Sequence, residues 1–364
     1  VGLVAMIREP IHPGGLITLV AMSGAAITAV ALLRARPAFF AVAAGVTGAV
    51  LALIKINVGA FFLIAAGSWM LLSTRPSRTA GWLVALGCVA SPLLLMNSLW
   101  SAPWVTQFAL IFACGTLALV PGLQRAASPE HGRRTWIGFL GAGLVVGLIT
   151  AGLVGARGTG LAALWHGMVV APLSHPGVYF FAASWLPGSG VAALLSLSIA
   201  MVLSRRPLTP AVTKGLSMAR LASALWYLAG AFNAEDEGMT RFALSYGPAL
   251  AWLMAIPLAG APDSASARAR LWLAWVFVWQ TLHAYPVAGS QIAWGTFLWA
   301  TLVVTGSAEA LGILAGERRR LSFAGIAVLL AAGLFATGRL ASVGRTFFTA
   351  SKPLELEGAA ALRP

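Results

Sequence analysis

Apolar runs close to the length that crosses a bilayer follow one another along this chain, and the short connections between them carry most of its charge. A spanning helix needs roughly 20 apolar residues, with ~17 as the lower limit. By that measure the candidate spans are 16–33, 38–54, 58–72, 80–97, 104–123, 136–154, 190–203, 217–232, 242–258, 271–284, 292–315 and 322–338. Only 9% of the residues are charged, against about 25% in a soluble domain. So few charges cannot cover a water-facing surface, and lipid must solvate most of the exterior. The expected fold is therefore all-α, a polytopic transmembrane helical bundle of about twelve spanning helices. It occupies residues 1–338, and 339–364 begins an extracytoplasmic tail.

The stretch from Ala38 to Leu72 is the severest test of this reading. Lys55 is its one charge and Asn57 its one amide. As a single helix it would run roughly 52 Å at 1.5 Å per residue, far beyond the ~30 Å hydrocarbon core. The chain must fold back, and Lys55-Ile56-Asn57-Val58-Gly59 is the place to do it. Gly59 offers backbone freedom there, and Lys55 can reach the interface.

Charge checks the count. When alternate connections are assigned to alternate faces, one face collects sixteen basic residues, among them Arg34, Arg36, Arg125, Arg133, Arg205, Arg206, Lys214, Arg220, Arg268 and Arg270. The other collects four before the C-terminal tail: Arg8, Lys55, Arg157 and Arg241. The basic face is expected in the cytoplasm, and both chain ends then lie outside. A net charge of +14 is thus an orientation signal. With no soluble basic domain to present it, it does not point to nucleic acid. Cys88 and Cys114 fall inside apolar runs without CxxC spacing and read as packing residues.

The basic-poor face holds the unusual chemistry. Lys55, with Asn57 beside it, could hold a lipid phosphate, or it could only anchor a hairpin. Glu235, Asp236 and Glu237 are adjacent carboxylates. Mutual repulsion would raise one pKa toward general-base use, and the cluster could also ligate a divalent cation. Equally, it could be a solvated loop paired with Arg241. His283, Tyr285 and Gln291 surround a Pro-Val-Ala-Gly break, where irregular backbone can line a polar cavity or simply end a helix. The connection 155–189 carries Arg157, Trp165, His166 and Met168 and is expected to hold an outer interfacial helix. Glu309 lies within an apolar run, as a functional carboxylate or as the partner of an inner arginine. No phosphate-binding glycine loop, zinc-protease HExxH or GxSxG elbow occurs.

The segments Ile54-Lys55-Ile56-Asn57-Val58-Gly59-Ala60-Phe61-Phe62 and Leu282-His283-Ala284-Tyr285-Pro286-Val287-Ala288-Gly289-Ser290-Gln291 resemble those of bacterial membrane proteins related to the glycosyltransferase C superfamily. The resemblance covers most of the chain in architecture and about 25 residues in motif. It implies a polyprenyl-phosphate-linked sugar donor, membrane lipids as surroundings, an outward-facing site in the bacterial inner membrane, and an acidic base in the first large outer loop. Here only Glu9 precedes the first candidate span. The expectation is a fragment whose base lies upstream, or else a base supplied by Glu9 or by Glu235, Asp236 and Glu237. The expected activity is transfer of a sugar to an acceptor, with Lys55, Asn57, Arg157, Arg241, His283, Tyr285 and Gln291 binding substrate and no resident metal assigned. A secondary transporter or lipid-linked glycan flippase, coupled through Glu309, is the rival. A non-catalytic scaffold subunit is the third reading.

Overall fold

The computed structural model describes residues 14–74, 77–126, 132–171, 180–230, 238–261, 263–289 and 291–316, with isolated helical positions between 330 and 349. All named elements are helices. They are α1 Gly14–Leu33, α2 Pro37–Ile54, α3 Ile56–Thr74, α4 Arg78–Leu95, α5 Pro103–Ala126 and α6 Arg133–Ala156. A short apolar pair follows, α7 Leu161–Trp165 running into a wider turn at His166–Val170. The remainder are α8 Ser189–Leu203, α9 Pro210–Ala229, α10 Gly238–Ser245, α11 Gly247–Ala255, α12 Ala265–Thr281, α13 Gln291–Thr296 and α14 Leu298–Ala315.

The chain is an all-α membrane bundle, but the expected count of twelve spans is wrong. Among the described residues seven helical stretches are long and apolar enough to cross: α1 to α6 and the stretch Gln291–Ala315. The losses have separate causes. The run 190–203 yields α8, 15 residues long, and 271–284 yields α12, 17 residues long. At 1.5 Å per residue these reach about 22 and 26 Å, short of a ~30 Å core. The run 217–232 falls in α9, which begins at Pro210 and carries Lys214 and Arg220. The run 242–258 breaks at Tyr246, with Pro248 in the first turn of α11. The run 322–338 and the proposed tail lie outside the described residues.

Of the shorter helices, α12 is internal. α12 packs against α1, α3, α5, α11 and α14, and Trp272, Trp275, Phe277 and Trp279 along it are all buried. A helix that is apolar on every side belongs in a core or a membrane. Here it is the core. Its indoles still need acceptors. Trp272 donates to Thr28 Oγ1 at 2.8 Å, and Trp275 donates to the Ala65 carbonyl at 3.0 Å.

The opposite extreme is α6. It packs chiefly on α2 and leaves Leu140, Leu144, Leu148 and Leu153 exposed. Its contact with α2 is close because Gly45 has no side chain: a Cβ there would lie 2.2 Å from the Phe139 carbonyl oxygen.

The fold-back at Lys55 is tighter than expected. One extended residue, Lys55 at φ −152° and ψ 110°, separates α2 from α3. Gly59 has an ordinary helical backbone, which corrects the expectation of freedom in the turn. Its role is steric: a Cβ would lie 2.2 Å from the Ala52 amide nitrogen on the facing helix.

Candidate functional site

The single-residue break between α2 and α3 aims the Lys55 side chain at the far end of α12. A short 3-10 turn, Leu282–Ala284, closes α12, and α13 opens at Gln291. The Lys55 ammonium lies 3.1 Å from His283 Nε2 and donates to Gln291 Oε1 at 2.9 Å. An ammonium has no acceptor capacity, so His283 accepts through Nε2 and carries its ring proton on Nδ1. Two of three ammonium protons are thus committed. Lys55 and Gln291 are half-buried while His283 is fully buried. Burial pushes the Lys55 ammonium down from 10.5 to about 8, which leaves it charged at neutral pH.

The surrounding packing holds these groups in place. Gln280 Nε2 donates to the Val58 carbonyl at 3.2 Å, fastening the end of α12 to the start of α3. The His283 ring lies 5.8 Å from that of Trp294. At Gly295 a Cβ would lie 2.7 Å from the Gln280 carbonyl, so only glycine lets α13 come this close. The segment ahead of α8 covers the same end. Phe181 exchanges backbone hydrogen bonds with Pro286 (3.0 Å) and Ala288 (2.9 Å). Trp185 Nε1 donates to the Trp104 carbonyl at 3.1 Å.

The structure therefore joins three residues singled out from the sequence, Lys55, His283 and Gln291, and separates the others by role. His283, expected to touch substrate or to lie buried at a helix end, is completely buried behind Lys55. Tyr285 is also buried, its ring 6.0 Å from that of Trp104. Asn57 bonds locally, its side-chain oxygen accepting from the Val58 amide at 3.0 Å. Arg241 donates through Nε to the Ser184 carbonyl at 3.1 Å, in the covering segment. Arg157 is exposed just after α6. Glu235, Asp236 and Glu237 lie outside the described residues. Among the described residues no three His, Cys, Asp or Glu side chains stand together as a metal site.

A second polar cluster sits at the other end of α12, and it bears out the reading of Glu309 as the partner of an inner arginine. Glu309 Oε2 lies 2.5 Å from Arg220 Nη1 and 2.5 Å from Arg270 Nη1. Oε1 accepts from Arg270 Nη2 at 3.1 Å and from the Leu258 and Ala259 amides at 3.3 Å. Arg220 also donates to the Leu253 carbonyl at 2.7 Å and to the Ile256 carbonyl. Arg220 was counted among the cations of a basic face, yet its side chain is 0% exposed. The signal was Glu309 itself, since a carboxylate in an apolar run needs a cation; which arginines supply it was not legible.

Comparison with protein-family models, curated proteins and solved structures gives no match.

Proposed function

We propose that this chain is a glycosyltransferase-type membrane protein that draws a sugar from a polyprenyl-phosphate carrier at the face holding Lys55. The observation that carries the proposal is the half-buried Lys55 ammonium, anchored by residues 228 and 236 positions away and retaining one N–H. Such a group suits a phosphate oxygen at the membrane boundary. The low charge density of the chain makes a partly desolvated lysine costly to keep without a counter-anion.

In the proposed reaction a carboxylate removes the acceptor hydroxyl proton. The hydroxyl oxygen bonds to the anomeric carbon, and the bond from that carbon to the phosphate oxygen breaks. The electron pair leaves with the lipid phosphate, whose growing charge Lys55 stabilises. Gln291 and His283 set the ammonium's direction. Glu235, Asp236 and Glu237 remain the proposed source of the base, and Arg157 and Arg241 are further phosphate contacts. The arginine-rich end would face the cytoplasm of a bacterial inner membrane, with the Lys55 end outside. Transport coupled through Glu309 has less support, because that carboxylate is committed to two arginines and two backbone amides.

The test is Lys55→Met in the full chain reconstituted in nanodiscs, supplied with polyprenyl-phosphate-linked sugars. Release of polyprenyl phosphate should be lost while Cys88 and Cys114 stay protected from thiol reagents. Turnover at the unmodified rate would exclude Lys55 from the chemistry.

A further inference from the structure

The bundle end away from Lys55 contains a cleft of about 310 Å³. Arg125 in the last turn of α5 and Arg206 just after α8 stand at its rim, with Ser204 and Thr213 beside them. Trp252 and Leu271 contribute to its walls. Among the described residues neither arginine makes an ion pair or side-chain hydrogen bond, and no carboxylate lines the cleft. The stretch from Ile256 to Leu258 forms another wall, and buried ions hold it: Arg220 takes the Ile256 carbonyl and Glu309 takes the Leu258 amide. Two arginines against one glutamate leave that cluster with a surplus positive charge behind the cleft.

We propose that this cleft binds the phosphate headgroup of an anionic phospholipid. The cleft is positive at its rim and apolar on its walls, which matches an amphiphile. It lies where α5 and α8 end, at Ala126 and Leu203, the level of lipid headgroups. Leu195, Ile199 and Val202 on α8 are exposed and offer an apolar track for an acyl chain leading up to the rim. A soluble anion would need no such track.

The full chain in detergent is titrated with phosphatidylglycerol, phosphatidylcholine or inorganic phosphate, and bound lipid is counted by native mass spectrometry. Phosphatidylglycerol should be retained in preference to phosphatidylcholine, and inorganic phosphate should not displace it. Arg125→Gln with Arg206→Gln should weaken retention roughly 30-fold, as for two basic contacts to an anionic headgroup. Arg34→Gln with Arg36→Gln, exposed cations in the α1–α2 connection, should leave retention unchanged. Equal retention of both lipids, displacement by phosphate, or undiminished binding in the cleft variant would overturn the proposal. Should the double variant fail to fold, Arg206→Gln alone, with the lipid comparison on the unmodified chain, decides between the same outcomes.

Discussion

Replacing Glu309 by Gln removes the one negative charge from a cluster of three ions and keeps the side chain's shape. It strands Arg220, whose side chain is 0% exposed, and Arg270, at 12%. Breaking a buried pair from one side costs about 3–5 kcal/mol, because an uncompensated charge remains in a poorly solvated place. Arg220→Met should cost less in electrostatics, since Arg270 still neutralises Glu309. It also frees the Leu253 and Ile256 carbonyls that Arg220 now satisfies. The double replacement, Arg220→Met with Glu309→Gln, should be milder than the sum of the singles by about 1–3 kcal/mol, the coupling expected of residues in one ionic network. The chain supplies its own reporter. Its two cysteines, Cys88 and Cys114, are both buried, so maleimide labelling during a dodecyl sulfate titration follows unfolding. An unshifted midpoint for Glu309→Gln, or strictly additive costs in the double variant, would show that the three ions do not act as a unit.

Lys55 should oppose stability while serving function. Its fall from 10.5 to about 8 corresponds to at most about 3.5 kcal/mol, at ~1.4 kcal/mol per pH unit. The unfolded chain binds the extra proton between those values, so stability should rise as pH climbs from about 8 to 10.5. Lys55→Met should remove both the cost and that slope in the same labelling assay; an unchanged slope would assign it to other groups. His283→Phe keeps a buried ring but removes the acceptor for Lys55, so polyprenyl phosphate release should fall about tenfold or more. A rate equal to the unmodified chain's would dismiss the positioning role. Gly45→Leu should drive α6 from α2, because even a Cβ would collide with the Phe139 carbonyl. Crosslinking between cysteines placed on the two helices should disappear, and persistence at the original yield would contradict the close packing.

Part of the candidate site was legible before the fold was known, for a local reason. A lone lysine in the stretch 38–72 must sit where the chain turns, since no deeper position could solvate it. The polar break from His283 to Gln291 had to sit at a helix end for the same reason. That these two places meet was not legible. Their contact spans more than two hundred residues and depends on how α12 packs against α3, which no local pattern encodes. Which reading of His283 and Tyr285 holds was hidden as well: from the sequence they could line a polar cavity or lie buried where a helix ends, and both are buried.

Composition and patterning alone settled the solvent and the secondary structure, because too few charged residues are available to face water and every lipid-exposed backbone must satisfy itself within a helix. The number of candidate crossings turned on where the helices begin, break and end: α8 and α12 are too short, and the run 242–258 breaks at Tyr246. Hydropathy averages over a segment and cannot separate an apolar face turned to lipid, as on α6, from one turned to protein, as on α12. Counter-ions were decided by packing: Glu309 needed a cation, but bringing Arg220 and Arg270 to it required three helices, α9, α12 and α14, to converge.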